Sequence, residues 1–289
     1  MPTISLNRAL CVALAGAAVL LSSCGDNADS SNVDSGDFQK NRAVYALPLD
    51  QFRAIDIAAL TYAANLIVRP CMQKGGYDWP IPPYHPNSSA DETTNSAGRR
   101  LFDPSIAQRY GYHLQPSARP EEDELAATLN SRRLSPAEEK ARDACFKERD
   151  ARLPLPSGLD LADSLAGAAY DAARLDEGTL DRAREWRDCM APYGISDLPD
   201  SPIKMPSPSL DKRFQVGGSG TSASSEEIEI ATADARCRES SGFSRQIYDV
   251  EFAQQLESIA QSREALERAK ADTARLNKRT RSIIAKYGG

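Results

Sequence analysis

Apolar positions recur at helical spacing through most of the chain, and no segment alternates as a half-buried strand does. Asp50 is placed to cap a first helix reaching about Val68, carried by Phe52, Ile55, Ala59, Leu60, Ala63, Leu66 and Ile67. Pro70 ends or kinks it just before Cys71. Residues 77–100 hold Pro80, Pro82, Pro83 and Pro86 and then a Ser/Thr/Asn run, which reads as a loop. Asp103-Pro104 opens a short helix that Gly111 stops. Ser135-Pro136-Ala137-Glu138 is a capping box launching a helix to about Arg149 that carries Cys145. Two further helices are expected over 159–175 and 179–190. Residues 192–222, with their prolines and Gly217-Gly218-Ser219-Gly220, read as a linker or flexible hairpin. The glycine run lacks the Lys-Ser/Thr and the preceding strand of a phosphate loop. Ser224 and Glu227 form another capping box, and Gly242 suits the end of that helix.

From Phe243 to Lys286 there is neither proline nor glycine, which predicts one helix of about 44 residues, roughly 65 Å long. Phe252, Leu256, Ile259 and Leu266 follow a heptad, and Arg263 and Lys270 interrupt it. The expectation is an amphipathic arm with weak coiled-coil character. The fold class is therefore all-α.

The N-terminus changes where such a bundle would reside. After Arg8, residues 9–21 are apolar or small, too short for the roughly 30 Å hydrocarbon core but suited to a signal-peptide core. Leu21-Ser22-Ser23-Cys24 then resembles a bacterial lipobox, so 1–23 is expected to be a lipoprotein signal peptide and Cys24 the lipidated first mature residue. Two acyl chains on a thioether-linked glycerol give the two-chain anchoring that one chain does not. Residues 24–43 are Asp/Ser/Asn-rich without apolar period and read as a flexible tether. The implied location is the extracytoplasmic face of the cell membrane.

Six cysteines are present. With Cys11 lost in the signal and Cys24 lipidated, Cys71, Cys145, Cys189 and Cys237 remain, and four allow three pairings. No CxxC occurs, and His85 and His113 lie far from any cysteine in sequence, so the spacing does not suggest a metal and no cofactor is expected. A short repeat bears on the pairing. Cys71-Met72 and Cys189-Met190 each have Arg two residues before, Gly five after (Gly76, Gly194), an apolar residue sixth (Tyr77, Ile195) and a proline soon after. Cys145 and Cys237 each follow an Ala/Asp/Arg run. If each half is one unit, the bonds are Cys71–Cys145 and Cys189–Cys237. The expected organisation is a first helical unit at 44–175, a second at 176–242, and the long helix at 243–289.

These features resemble a family of uncharacterised cell-envelope lipoproteins from high-GC Gram-positive (actinobacterial) bacteria. The pattern is a lipobox, Cys-Met with a following Gly-aromatic and proline, an Ala/Asp-rich helix bearing the partner cysteine, and a long charged C-terminal helix. Tyr110-Gly111-Tyr112-His113 after Asp103-Pro104 also fits. The second Cys-Met unit departs from it, with Tyr193 before Gly194 and Ile195 after. The resemblance implies location and architecture, and no activity.

Composition narrows the function classes further. The 289 residues are 41% apolar and 26% charged, with a formal net charge of −6 and a pI near 5.2, which argues against a nucleic-acid partner. No GxSxG, HExxH, Walker or GxGxxG pattern occurs. Glu121–Glu124, after Pro120, suits a helix N-terminus and has no EF-hand spacing. Tyr77, Trp79 and Tyr84 form the densest aromatic group, able to stack on sugars or a peptide, or (for Trp79) to cover a disulfide, as Trp186 could in the second unit. Arg275, Lys278, Arg279 and Arg281 make the chain's end basic, which stabilises a helix C-terminus and suits anionic lipid or an anionic envelope polymer. The leading expectation is a non-enzymatic envelope interaction module, its partner such a polymer or another envelope protein. Two alternatives stand beside it. One is an enzyme or accessory using Tyr112, His113 and nearby acids, with His85 and His113 converging as an acid/base or metal pair. The other is small-molecule capture between helices.

Overall fold

The C-terminal helix is the axis of the bundle. In this computed structural model, which describes residues 38–86, 91–216 and 222–288, it runs Phe243–Tyr287 with one non-helical residue at Ser262. Its interior-facing positions, Phe252, Gln255, Ile259, Leu266, Ala269, Thr273, Leu276, Thr280 and Ile283, are all buried. With Ser262 they form an unbroken three-four repeat. The expected seam was incomplete because polar and small residues occupy several of its positions: Gln255 is buried, whereas Leu256 is only half-buried. Arg263 and Lys270 lie off the seam and do not interrupt it. The helix is thus a buried spine and not an arm.

Eight other α-helices among the described residues surround or adjoin this spine. They are α1 (Ile57–Lys74), α2 (Pro104–Tyr110), α3 (Pro120–Ser131), α4 (Pro136–Arg152), α5 (Leu161–Leu175), α6 (Glu177–Met190), α7 (Pro208–Phe214) and α8 (Ser225–Ser240), with the spine as α9 (Phe243–Tyr287). No strand occurs among the described residues. The protein is all-α, with a long C-terminal helix. Ala63, Leu66 and Ile67 of α1 meet Leu276 and Ile283 of α9. Ala162 and Ala166 of α5 meet Ile259 and Leu266. The buried face of α5 is Ala162, Ala166, Ala169 and Ala173, so no long side chain holds it away from its neighbours.

Local differences from expectation have identifiable causes. Asp50 closes a 3-10 turn at Pro48–Phe52 by accepting from Leu47 N–H at 2.9 Å. Asp56 is the cap of α1, accepting from Ala59 N–H at 2.8 Å. The chain breaks between them, and Leu49 and Phe52 pack toward α5 and α9, while α1 takes a different direction. Pro70 lies inside α1, and the helix continues through Cys71 to Lys74. Of the stretch 192–222, expected as a linker or flexible hairpin, the described residues 192–216 contain α7 and bury Leu210 against Tyr112, Ala231 and Ala235. The stretch 48–74 is long and apolar enough to cross a membrane by composition. Here it is a turn plus a core helix.

Both disulfides join the expected partners, Cys71–Cys145 across α1 and α4 and Cys189–Cys237 across α6 and α8, each with a Cα separation of 5.7 Å. The repeat has a physical meaning in each half. Met72 and Met190 are fully buried beside their disulfides. Gly76 and Gly194 both adopt left-handed backbone, φ 80° and 65°, a conformation that other residues rarely adopt. The two stapled pairs do not stand apart as separate bodies. The described residues belong to one compact unit, because α2 of the first half packs on α8 of the second and α9 touches both halves. The signal segment, Cys24, the tether through residue 37 and Gly217–Gly220 lie outside the described residues, whereas 38–43, expected as the end of the tether, is docked on α9, with Lys40 and Arg42 paired to Asp249 and Asn41 N–H donating to Tyr248 Oη at 3.0 Å.

Candidate functional site

An open groove of about 1440 Å³ lies between α1, the proline-rich loop, α3 and α4. Its aromatic wall follows from the first disulfide. Tyr77 and Trp79 pack with Cys71 and Cys145, and Trp79 meets Phe146 edge to face at 6.2 Å. The Trp79 indole N–H donates to Asn65 Oδ1 at 2.9 Å, fixing the ring. Farther along the loop, Tyr84 stacks on Tyr62 of α1, centroids 5.1 Å apart and planes 19° from parallel. Burial, then the neighbouring Asp56 carboxylate, pushes the Tyr84 phenol up.

The groove's charges are largely paired among themselves. His85 Nε2 lies 3.0 Å from Glu122, and Arg119 faces the same carboxylate at 3.9 Å. Arg142 pairs with Asp143 at 2.9 Å and Arg149 with Asp150 at 2.7 Å, both guanidinium groups lying over the Phe146 ring. Arg132 pairs with Glu138 and donates to the Asp78 carbonyl at 3.3 Å. Arg133 forms no ion pair among the described residues. The groove therefore offers fixed ring faces and planar polar groups with little net charge.

Tyr112 and His113, the candidate residues of the enzymatic alternative, are interior, 1% and 7% exposed. Gly111 turns the chain with φ 57° at the end of α2, directing both residues toward α8. Glu227 of α8 accepts from Tyr112 N–H at 2.8 Å and faces His113 Nε2 at 3.3 Å. Thus Glu227 of the predicted capping box holds α2 with its side chain, while its own N–H is taken by Ser224 Oγ at 3.2 Å. His85 and His113 do not form a pair: each imidazole faces a different carboxylate, and His113 Nε2 is buried without a hydrogen-bond partner.

The Tyr112 ring opens onto a second cavity of about 660 Å³, which shares no lining residue with the groove. It stacks against Phe102 with planes 4° from parallel. Three buried acids stand behind this cavity. Asp234 accepts from Trp186 Nε1 at 2.8 Å and forms a two-armed pair with Arg238. Glu251 pairs with Arg99 and accepts from Tyr45 Oη at 3.0 Å. Burial pushes the Glu251 carboxyl up, with Arg99 opposing it. Glu227 completes the set. Apart from Glu227, read as part of a helix cap, none of these acids and arginines was singled out in the sequence. The one available signal was the Asp234–Arg238 spacing of four within an alanine-rich helix.

At the far end of α9, Lys278, Arg279 and Arg281 are exposed and form no ion pair among the described residues, whereas Arg275 pairs with Asp272. Positions 278 and 281 fall on the side of the helix away from the buried Leu276, Thr280 and Ile283, and Arg279 flanks that buried side. No group of His, Cys, Asp and Glu among the described residues is arranged to hold a metal ion. No family model, curated protein or solved structure matches the chain.

Proposed function

We propose that the chain is an exported, lipid-anchored module of the actinobacterial envelope type that binds an envelope polymer and does not transform it. Cys24 carries the lipid, residues 25–37 hold the bundle off the membrane, and the groove takes an extended, ring-bearing, weakly charged chain such as a saccharide. The observation that carries this reading is the groove itself: fixed rings of Trp79, Tyr62 and Tyr84 beside arginines already paired with carboxylates. An aromatic face presents negative quadrupole potential to the C–H face of a sugar ring. Planar guanidinium and carboxylate groups meet its hydroxyls. A strongly anionic polymer would need several uncompensated cations there; among the groove arginines Arg133 forms no ion pair among the described residues, whereas Lys278, Arg279 and Arg281 supply three together at the end of α9. The basic end of α9 is thus a second contact, with acidic parts of the same polymer or with anionic headgroups.

The test is co-sedimentation of the purified mature chain with insoluble envelope polysaccharide. Tyr84→Ala, which removes a half-buried ring from the groove wall without touching a disulfide, is expected to weaken retention about tenfold, roughly one hot-spot contact. Unchanged retention overturns the groove assignment. Mass spectrometry of the N-terminal peptide tests the anchor: a diacyl-modified Cys24 is expected, and a free thiol refutes it.

A further inference from the structure

The second cavity has features that neither the fold nor the groove accounts for. Its wall carries five arginines: Arg42, Arg99, Arg100, Arg238 and Arg245. Three are committed, Arg42 to Asp249, Arg99 to Glu251 and Arg238 to Asp234. Arg100 and Arg245 form no ion pair among the described residues. Of the two lining carboxylates, Asp103 caps α2 by accepting from Ser105 and Ile106 N–H, and Glu239 is the other.

Arg100 is the unusual one. Its Nη2 donates to the carbonyls of His113 at 3.0 Å and Gly111 at 3.4 Å, which fastens the guanidinium. Its Nε is buried without a hydrogen-bond partner. Burial and then the nearby Arg238 push its pKa down to about 10, with Tyr112, Asp234 and Glu227 opposing. Around it are ring faces. Phe102 lies under both Arg238 and Arg100 at 4.5 and 5.2 Å, and Tyr170 lies under Arg99 at 3.9 Å.

We propose that this cavity binds a small organic oxyanion, a carboxylate or phosphate monoester on a ring-bearing apolar body, with Arg100 as the principal anion receptor. With Nη2 held by the two carbonyls and Nε buried, Nη1 is the arm of this prefixed guanidinium left to an oxyanion, and a charge-assisted hydrogen bond from it suits a carboxylate or a phosphate alike. The volume is in the range of pockets that enclose drug-sized ligands and far exceeds that of a bare ion. Arg245, exposed and uncommitted at the wall, adds attraction during entry.

The experiment is calorimetric titration of the mature chain with phenyl phosphate, benzoate and the uncharged benzamide. At least one anion is expected to bind with a Kd of about 1 mM or tighter, and to weaken as salt is raised. Which anion binds better identifies the headgroup. Benzamide is expected to bind at least about tenfold more weakly. Arg100→Gln is expected to weaken the anion about tenfold or more, and Arg245→Gln about threefold. If Arg100→Gln does not fold by circular dichroism, Arg245→Gln and the benzamide comparison decide. The proposal is overturned if both anions bind more weakly than about 1 mM, if benzamide equals them, or if the folded variants bind as the parent does. Tyr84→Ala in the groove is expected to leave this titration unchanged, so the two sites fail independently.

Discussion

The carboxylate of Asp234 on α8 receives the indole N–H of Trp186 on α6 at 2.8 Å, and both residues are fully buried. This bond runs beside the Cys189–Cys237 disulfide and joins the same two helices. Asp234 also holds both arms of Arg238, which in turn donates to the Pro202 carbonyl at 2.7 Å. Removing the acid strands a buried indole N–H and a mostly buried guanidinium together. Asp234→Ala is expected to cost about 3–5 kcal/mol, measured by urea denaturation. A loss below about 1 kcal/mol would show that the network is not structural.

Gly111 is expected to resist substitution for two separate reasons. Its φ of 57° with ψ −128° is a backbone conformation suited to glycine, and an added Cβ would lie 2.5 Å from Glu227 Oε1 and 2.8 Å from the Ala223 Cβ. Gly111→Ala should therefore lower stability by about 2 kcal/mol or more. It should also displace Glu227 from Tyr112, shifting the Tyr112 amide resonance. A variant as stable as the parent would contradict the packing described at this turn.

The disulfides close loops of 74 and 48 residues of sequence separation. In the chain-entropy model each contributes about 4 kcal/mol. Non-reducing peptide mapping should recover Cys71–Cys145 and Cys189–Cys237 peptides. Reduction should lower the denaturation midpoint in two additive steps when each pair is replaced by serine in turn. Recovery of a Cys71–Cys189 peptide would overturn the pairing.

Asp176 caps α6. The backbone N–H of Thr179 is the main cause that holds its carboxyl below the usual range, with burial opposing and the Gln246 amide assisting. A folded-state pKa depressed below the unfolded one gives stability that is present above the ordinary carboxylate range and is lost as pH falls through the folded value. Asp176→Ala should therefore cost about 1 kcal/mol at pH 7 and progressively less in acid. A cost that does not change with pH would assign the residue's role to something other than its charge.

Because α9 is the spine, truncation after Gly242 should not leave two stapled units. It exposes the faces of α1, α5 and α6 that meet Leu276, Leu266, Ile247 and their neighbours. The truncated chain is expected to lose cooperative unfolding and to be cleaved rapidly by protease. A sharp thermal transition in that fragment would restore the picture of α9 as an appended arm.

The helix boundaries were legible where a residue acts on its own backbone. Asp103, Ser135 and Ser224 cap the helices that their spacing predicted. Cap chemistry reaches only three residues, so it can be read from a short string. The cysteine repeat was legible for a similar reason: Met72 with Gly76, and Met190 with Gly194, are local solutions to one problem, used twice.

What only the tertiary structure decided was which polar groups are buried. Gln255 sits on the seam of α9 because its amide answers both Glu251, four residues away, and Leu49 N–H, 206 residues away. Arg100 became a buried cation because Gly111 and His113 return to it after a turn. The sequence by itself determined an all-helical chain with four pairing cysteines and a lipobox-like start, since periodicity, caps and cysteine spacing are properties of the string. Whether an arginine or a glutamate faces water or a cavity depends on which helix arrives beside it. That is settled by packing between segments far apart in the chain, and both the groove and the arginine-lined cavity exist only there.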